Sequence, residues 1–235
     1  MSVCDALRER ALPVWESLHE HPFLRELADG TLPEEKFRFY LEQNLLYLPE
    51  YARVIAIGAA RSRDGVELGS FTAALDNIVN TEIPENEALL AEIIALGAED
   101  RGGTLAMAPR NVAYTSYLIA AAFRGGPLDV MTAIMPCAWS YGEIASALPR
   151  EAADAHPVYG AWIGFFASEQ YAALVERMKA ELDALAEQEG AGVDELGETF
   201  TMGARLELGF WEMAYTLEQW PDVALTITTK EPGCP

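Results

Sequence analysis

The 235-residue chain sets 37 acidic residues against 16 basic ones, a formal charge of −21. Such a surface repels phosphate backbones and anionic headgroups, so neither nucleic acid nor a membrane is an expected partner, and no apolar run reaches spanning length. With 51% apolar residues and 23% charged, the composition suits one well-cored domain over 1–235.

The predicted elements are helix after helix. Ser2 and Asp5 form a capping-box pattern ahead of an apolar face of Leu7, Trp15 and Leu18, with a kink or split at Pro13 and a break at His21-Pro22. Asp29-Gly30 turns the chain, and Thr31 with Glu34 predicts a second capping box with Pro33 in the first turn. A long helix then runs to about Ser62, kinked at Pro49 and closed by Asp64-Gly65. Helices are expected over 67–80 and 84–96, with a loop at 99–103. Further helices are expected over 110–123, 127–148, 157–189 and 194–215. A tail containing Thr226-Ile227-Thr228-Thr229 has weak strand character without a partner strand. With no period-two alternation and no repeat, the fold class is all-α, a single multi-helix bundle.

Three constellations carry chemistry. Tyr40, Asn44, Tyr47 and Tyr51 fall at i, i+4, i+7 and i+11, on one helix face. They form either an aromatic core stripe or a pocket wall that stacks on a flat polar ring. Cys137 sits mid-chain in an apolar segment with Tyr141 one turn away, whereas Cys4 and Cys234 lie near the termini. A buried thiol is either an inert core residue or a nucleophile. Glu143 is turned away from Cys137 and reads as structural or exposed. Glu207 shares a face with Phe210, Trp211 and Tyr215; it is either desolvated and suited to proton transfer, or neutralised by Arg205 or Arg53. Tyr114-Thr-Ser-Tyr117 alone reads as core.

Three widely spaced cysteines suggest neither a disulfide framework nor a zinc site, which points to a reducing cytoplasm. Glu16-x-x-His19 matches half of a di-iron pattern, but no second copy occurs, and only His19, His21 and His156 exist. No metal site is expected.

Seven blocks in register resemble the TenA family, the thiaminase II or aminopyrimidine aminohydrolase group. They are His21-Pro-Phe, Asp29-Gly-Thr-Leu-Pro33, Phe39-Tyr-Leu-Glu-Gln-Asn44, Tyr114-Thr-Ser116, Pro136-Cys-Ala-Trp-Ser-Tyr141, His156-Pro-Val-Tyr-Gly-Ala-Trp-Ile-Gly164 and Glu207-Leu-Gly-Phe-Trp-Glu-Met-Ala-Tyr215. The resemblance implies a haem-oxygenase-like helical architecture, commonly a homotetramer, with no cofactor. It implies a reaction in which Cys137 adds to an aminopyrimidine or thiamine-like substrate and Glu207 serves a ring nitrogen, giving hydroxymethylpyrimidine. Tyr47, Tyr114 and Tyr141 match the family's pocket aromatics, and Tyr51 and Trp211 are taken as substrate-binding beside them.

Two positions depart from the family pattern: Asn44 stands where an aspartate is usual, and Phe166 where a tyrosine is usual. Asn44 lacks the charge and Phe166 lacks any hydrogen-bonding group, so ring chemistry is retained while recognition is altered. The rival readings are a pyrimidine-binding protein without catalysis and, from architecture alone, a metal oxidase.

Overall fold

The computed structural model describes residues 2–99, 105–149 and 155–221. The expected strand character of 226–229, Cys234 and most of the expected loop at 99–103 lie outside them. Among the described residues are eleven α-helices and one π-helical turn, without strands.

Helices α1 (Val3–Arg10) and α2 (Leu12–His19) are the two halves of the first apolar pattern, split at Ala11 with Pro13 in the first turn of α2. Ser2 Oγ accepts from Asp5 N at 3.1 Å, one half of the expected capping box. The His21-Pro22 break opens a short helix of its own, α3 (Pro22–Ala28), capped by His21 Nδ1, which accepts from Phe23 N.

The capping box expected at Thr31 and Glu34 does not form. Helix α4 (Glu34–Arg61) begins at Glu34 itself, after Pro33, with no side-chain cap. Thr31 belongs to the preceding helix end instead: Gly30 takes a positive φ of 67°, and Thr31 N and Leu32 N both donate to Glu26 O. The left-handed glycine closes α3 and uses up the turn that a cap would need. Helix α4 then runs continuously through Pro49.

The two helices expected between 67 and 96 are joined rather than separate. Helix α5 (Gly65–Asn77) passes through a π-helical turn (Ile78–Glu82) into α6 (Ile83–Ala95). Pro84 has no N–H to lose in the first turn of α6, while Ile83 N donates five residues back to Ile78 O. The single helix expected over 157–189 is two: α9 (Pro157–Phe166) ends at Ala167, and Ser168 Oγ accepts from Tyr171 N to start α10 (Glu169–Glu189). Ser168 competes locally as a cap where periodicity alone sees continuity.

Helices α7 (Pro109–Arg124), α8 (Pro127–Ala147) and α11 (Val193–Thr216) complete the set. One core of buried side chains runs through all of these helices. Helices α8 and α11 form the most extensive pairing, and Gly203 is what lets them close. A Cβ there would lie 2.9 Å from Ala133 O and 2.9 Å from Pro136 Cγ. That contact is one residue from Cys137 on α8 and one turn from Glu207 on α11. No helix among the described residues is long and apolar enough to cross a membrane.

Candidate active site

Cys137, Asn44, Tyr47, Tyr51 and Tyr141 come together around one cavity between α4, the α5–π–α6 segment, α8 and α10. The enclosed space is tight, about 30 Å³, and reaches about 490 Å³ only when the open solvent at its mouth is counted. Asn77, Ile78, Glu82, Tyr171, Leu174 and Met178 complete the principal lining.

Glu207, Tyr114, Phe166 and Trp211 stand behind that lining. Glu207 is 1% exposed, and Tyr114 Oη donates to its Oε2 at 2.8 Å. No Arg or Lys among the described residues pairs with it: Arg53 pairs with Glu50, and Arg205 is exposed. The choice left open in the sequence therefore falls to desolvation. Burial raises the Glu207 carboxyl to about 7, with the Tyr114, Cys137 and Tyr141 side chains pulling the other way. Cys137 is partly exposed and lines the cavity. Burial pushes its thiol well above the usual range, and the charges of Glu207 and Glu82 add to that push. The thiol is therefore protonated at rest. Cys4, fully buried, is pushed by burial to about 12.

Local sequence explains why these groups meet. Gln43, buried beside Asn44, clamps the start of α7: its Nε2 donates to Ala106 O, and its Oε1 accepts from Ala108 N, each at 2.9 Å. Asn111 Nδ2 donates to Gln43 O at 2.9 Å. That clamp seats Tyr114 one turn further along α7, with its ring 5.0 Å from Tyr47 and its hydroxyl on Glu207. The Tyr47 hydroxyl is buried beside Cys137 and Tyr114 and makes no well-formed hydrogen bond among the described residues. Tyr51 Oη donates to Ile134 O at 3.4 Å. Tyr141 is held by rings: Phe166 at 4.7 Å, Trp211 at 5.0 Å and Trp162 at 5.7 Å between centroids. Tyr40 Oη donates to Tyr141 Oη at 3.3 Å while accepting from Trp162 Nε1 at 3.1 Å. Tyr40 is thus the core member of the tyrosine stripe, and Phe166 supports Tyr141 instead of reaching the cavity.

Asn44 lines the cavity with its amide committed on one side: Nδ2 donates to Asn86 Oδ1 at 3.0 Å, and Asn86 Nδ2 donates to Glu82 O at 2.8 Å. Sequence reasoning missed Glu82, Asn77, Asn86 and Tyr171. The only signal for Glu82 was a carboxylate just before Ile83-Pro84, at what read as an inter-helix turn.

The histidines and Glu143 have structural partners. Glu143 accepts from Arg8, and from Trp15 Nε1 at 3.2 Å, with His19 Nε2 at 3.2 Å. Burial alone would raise its carboxyl; the bonds from His19 and Arg8 outweigh it and hold the group at about 2. His21 and His156 cap α3 and α9 through Nδ1 and meet Glu212 and Glu34 through Nε2. Among the described residues no group of three or more His, Cys, Asp or Glu is placed to hold a metal ion.

The comparisons with known proteins agree on kinship. The protein named aminopyrimidine aminohydrolase in Halalkalibacterium halodurans is 35% identical over 94% of this chain and 98% of its own length. Its namesake from Helicobacter pylori is 34% identical over 92% and 99%. Among solved structures, the TenA homologue from P. horikoshii OT3 superposes with a TM-score of 0.79 at 30% identity, covering 92% of this chain and 99% of that one. A domain with a heme oxygenase-like fold from Shewanella denitrificans superposes at 0.68 with 16% identity, over 91% and 92%, a likeness of fold alone. The model of the TENA/THI-4/PQQC family matches residues 8–217, and the chain belongs to that family.

Proposed function

We propose that the chain is a cofactor-free hydrolase of the thiaminase II type that displaces the group on the exocyclic methylene of a thiamine-related aminopyrimidine, leaving hydroxymethylpyrimidine. The observation that carries this reading is the pairing of a cavity-lining thiol with a desolvated carboxyl that bears no cation, beside relatives named for that activity. Cys137 and Glu207 lie close enough to shift each other's proton affinity. In a cavity that resists charge, the thiol proton passes to Glu207 as sulfur adds to a ring carbon, and Glu207 passes it to the adjacent ring nitrogen. One negative charge changes place and no second one is created. The leaving group departs, water adds to the methylene, and the thiolate is expelled as the ring regains aromaticity. Tyr114 holds Glu207 in place; Tyr47, Tyr51 and Tyr141 flank the ring, and Asn44 Oδ1 offers an acceptor.

The test is incubation with amino-aminomethyl-methylpyrimidine and with thiamine, following hydroxymethylpyrimidine by chromatography, alongside Cys137→Ser. Turnover that the variant lacks is expected; no turnover of either compound, or unchanged turnover in the variant, overturns the reading. Asn44 in place of an aspartate favours one rival, a binding protein without catalysis, which predicts thermal stabilisation by pyrimidines with no product. The expected homotetramer is checked by light scattering of the purified chain.

A further inference from the structure

The cavity lining carries a carboxyl that the thiol–Glu207 chemistry does not use. Glu82 closes the π-helical turn, and the cavity lining includes it together with Cys137. Its main chain is fixed, since Glu82 O accepts from Asn86, which Asn44 holds in turn. Its carboxyl has no hydrogen bond and no cation among the described residues, whereas Glu207 is tied to Tyr114 behind the lining. Burial, and after it the charge of Glu207, raise the Glu82 carboxyl to about 7. Two further polar atoms on the lining, Asn77 Nδ2 and Tyr47 Oη, are buried and make no well-formed hydrogen bond among the described residues. An unpaired carboxyl among unpaired donors costs stability and makes no structural bond. π-helical turns of this kind recur where a helix must present side chains to a ligand.

We propose that Glu82 is a catalytic residue that protonates the departing amine and then deprotonates the incoming water, so that the cavity is built for amine leaving groups. This rests on the reaction under Proposed function. There, sulfur is bonded to the ring carbon beside the one bearing the aminomethyl arm, and the neighbouring ring nitrogen has taken a proton. The ring amino group then drives its electron pair through the adjacent ring double bond into the exocyclic C–C bond. The C–N bond breaks with its pair on nitrogen. An amide anion is too basic to leave, so the nitrogen must hold a third proton as it goes; an arm that arrives as ammonium gives that proton to the Glu82 carboxylate in a cavity that disfavours charge, and takes it back as ammonia departs. Among the described lining residues, the other ionisable groups beside Cys137 are Tyr47, Tyr51, Tyr141 and Tyr171, phenols that burial makes weaker acids still. Glu82 gives the proton and becomes a carboxylate. As water oxygen bonds to the exocyclic methylene and the ring double bond returns, Glu82 takes the water proton back. The acid is restored before Cys137 leaves.

The experiment compares wild type with Glu82→Gln on two substrates: amino-aminomethyl-methylpyrimidine, and its nitrophenoxymethyl analogue, whose phenolate leaves without a proton. First-turnover release of ammonia and of nitrophenolate is measured, with Cys137→Ser as the common control. Loss of a general acid predicts a fall of roughly 100-fold or more in ammonia release, with nitrophenolate release within about threefold of wild type. Equal losses on both substrates, or no loss on the amine, overturn the proposal. Nitrophenolate release that depends on Cys137, with no ammonia released by wild type, overturns it and leaves the cysteine chemistry standing. No release from either substrate overturns both. Gln removes an unpaired carboxyl, so the variant is expected to unfold no lower than wild type at neutral pH; should it fail to fold, Glu82→Met carries the same comparison.

Discussion

Gly203→Ala tests whether the contact between α8 and α11 sets the catalytic geometry. The added methyl would meet Ala133 O at 2.9 Å and Pro136 Cγ at 2.9 Å. One obstacle is main chain and the other a rigid ring, so neither yields by a rotamer change. Ordinary heavy-atom contact begins near ~3.5 Å, so the helices must separate locally by about 0.6 Å. Overpacking of this kind costs ~1–3 kcal/mol, offset by the ~0.5–1 kcal/mol that alanine gains over glycine inside a helix. A net loss of about 1–2 kcal/mol lowers the melting temperature of a chain this size by roughly 2–8 °C. The functional effect comes from leverage. Pro136 precedes Cys137, and Glu207 lies one turn beyond Gly203, so the same separation opens the distance between thiol and carboxyl. A misplacement of about 1 Å costs ~100-fold in rate, and about half of it predicts a fall near tenfold in kcat. Calorimetry and hydroxymethylpyrimidine release measure both quantities on one preparation. Wild-type melting with wild-type kcat refutes the packing argument. A lower melting temperature with kcat intact leaves the packing right and refutes its link to the site.

Gly69→Ala is the matched control: a Cβ at this helical position meets nothing within 4 Å, so melting should rise by the equivalent of ~0.5–1 kcal/mol with kcat unchanged. Asn44→Asp should destabilise by about 1–3 kcal/mol in urea unfolding, since it replaces a donor to Asn86 Oδ1 with an acceptor. A urea midpoint equal to that of wild type would show that Asn86 turns over to serve the new acid. Glu207→Gln should gain stability relative to wild type as pH rises from 5 to 8. The folded carboxyl is raised from 4.5 to about 7, so its stabilising proton is fully held below 4.5 and lost through 7, a loss on the order of 3 kcal/mol that glutamine escapes. A melting difference between variant and wild type that is the same at both pH values would contradict this.

The helices were legible because apolar spacing and Gly or Pro punctuation act locally, and the residues that break the pattern explain each boundary that moved. Thr31 satisfies the capping-box spacing, yet Gly30 draws it back to finish α3. Ser168 starts a new helix inside a run whose periodicity does not change. At the site, the stripe on α4 and the Cys137–Tyr141 pair could be read from helical periodicity, because each lies on a single helix. Whether Glu207 meets a guanidinium or a phenol depends on the crossing of α7 and α11, which no local pattern encodes. Glu82 was hidden for a different reason. A π-helical turn inserts an extra residue and shifts the register of the helix downstream, so α-helical phase assigns the wrong face to side chains there.

The formal charge of −21 repels polyanions, and at the site it has a second consequence. An acidic envelope draws cations toward a cleft, and both thiamine and an aminomethylpyrimidine carry positive charge in neutral water. That attraction alone would favour any cation. The cavity supplies selection, because the carboxyl on its lining and the one behind it are both raised to about 7, so it does not present a fixed cluster of anions to hold the ligand. In the proposed reaction it holds protons ready to move: one between Cys137 and Glu207 at the ring, and one at Glu82 beside the arm. A cation whose nitrogen shares its proton with Glu82 can complete the reaction, whereas a cation without a reactive ring gains only the long-range attraction. On that reading the surface governs arrival, and the placement of two carboxyls raised toward neutrality near Cys137 governs which arrivals react.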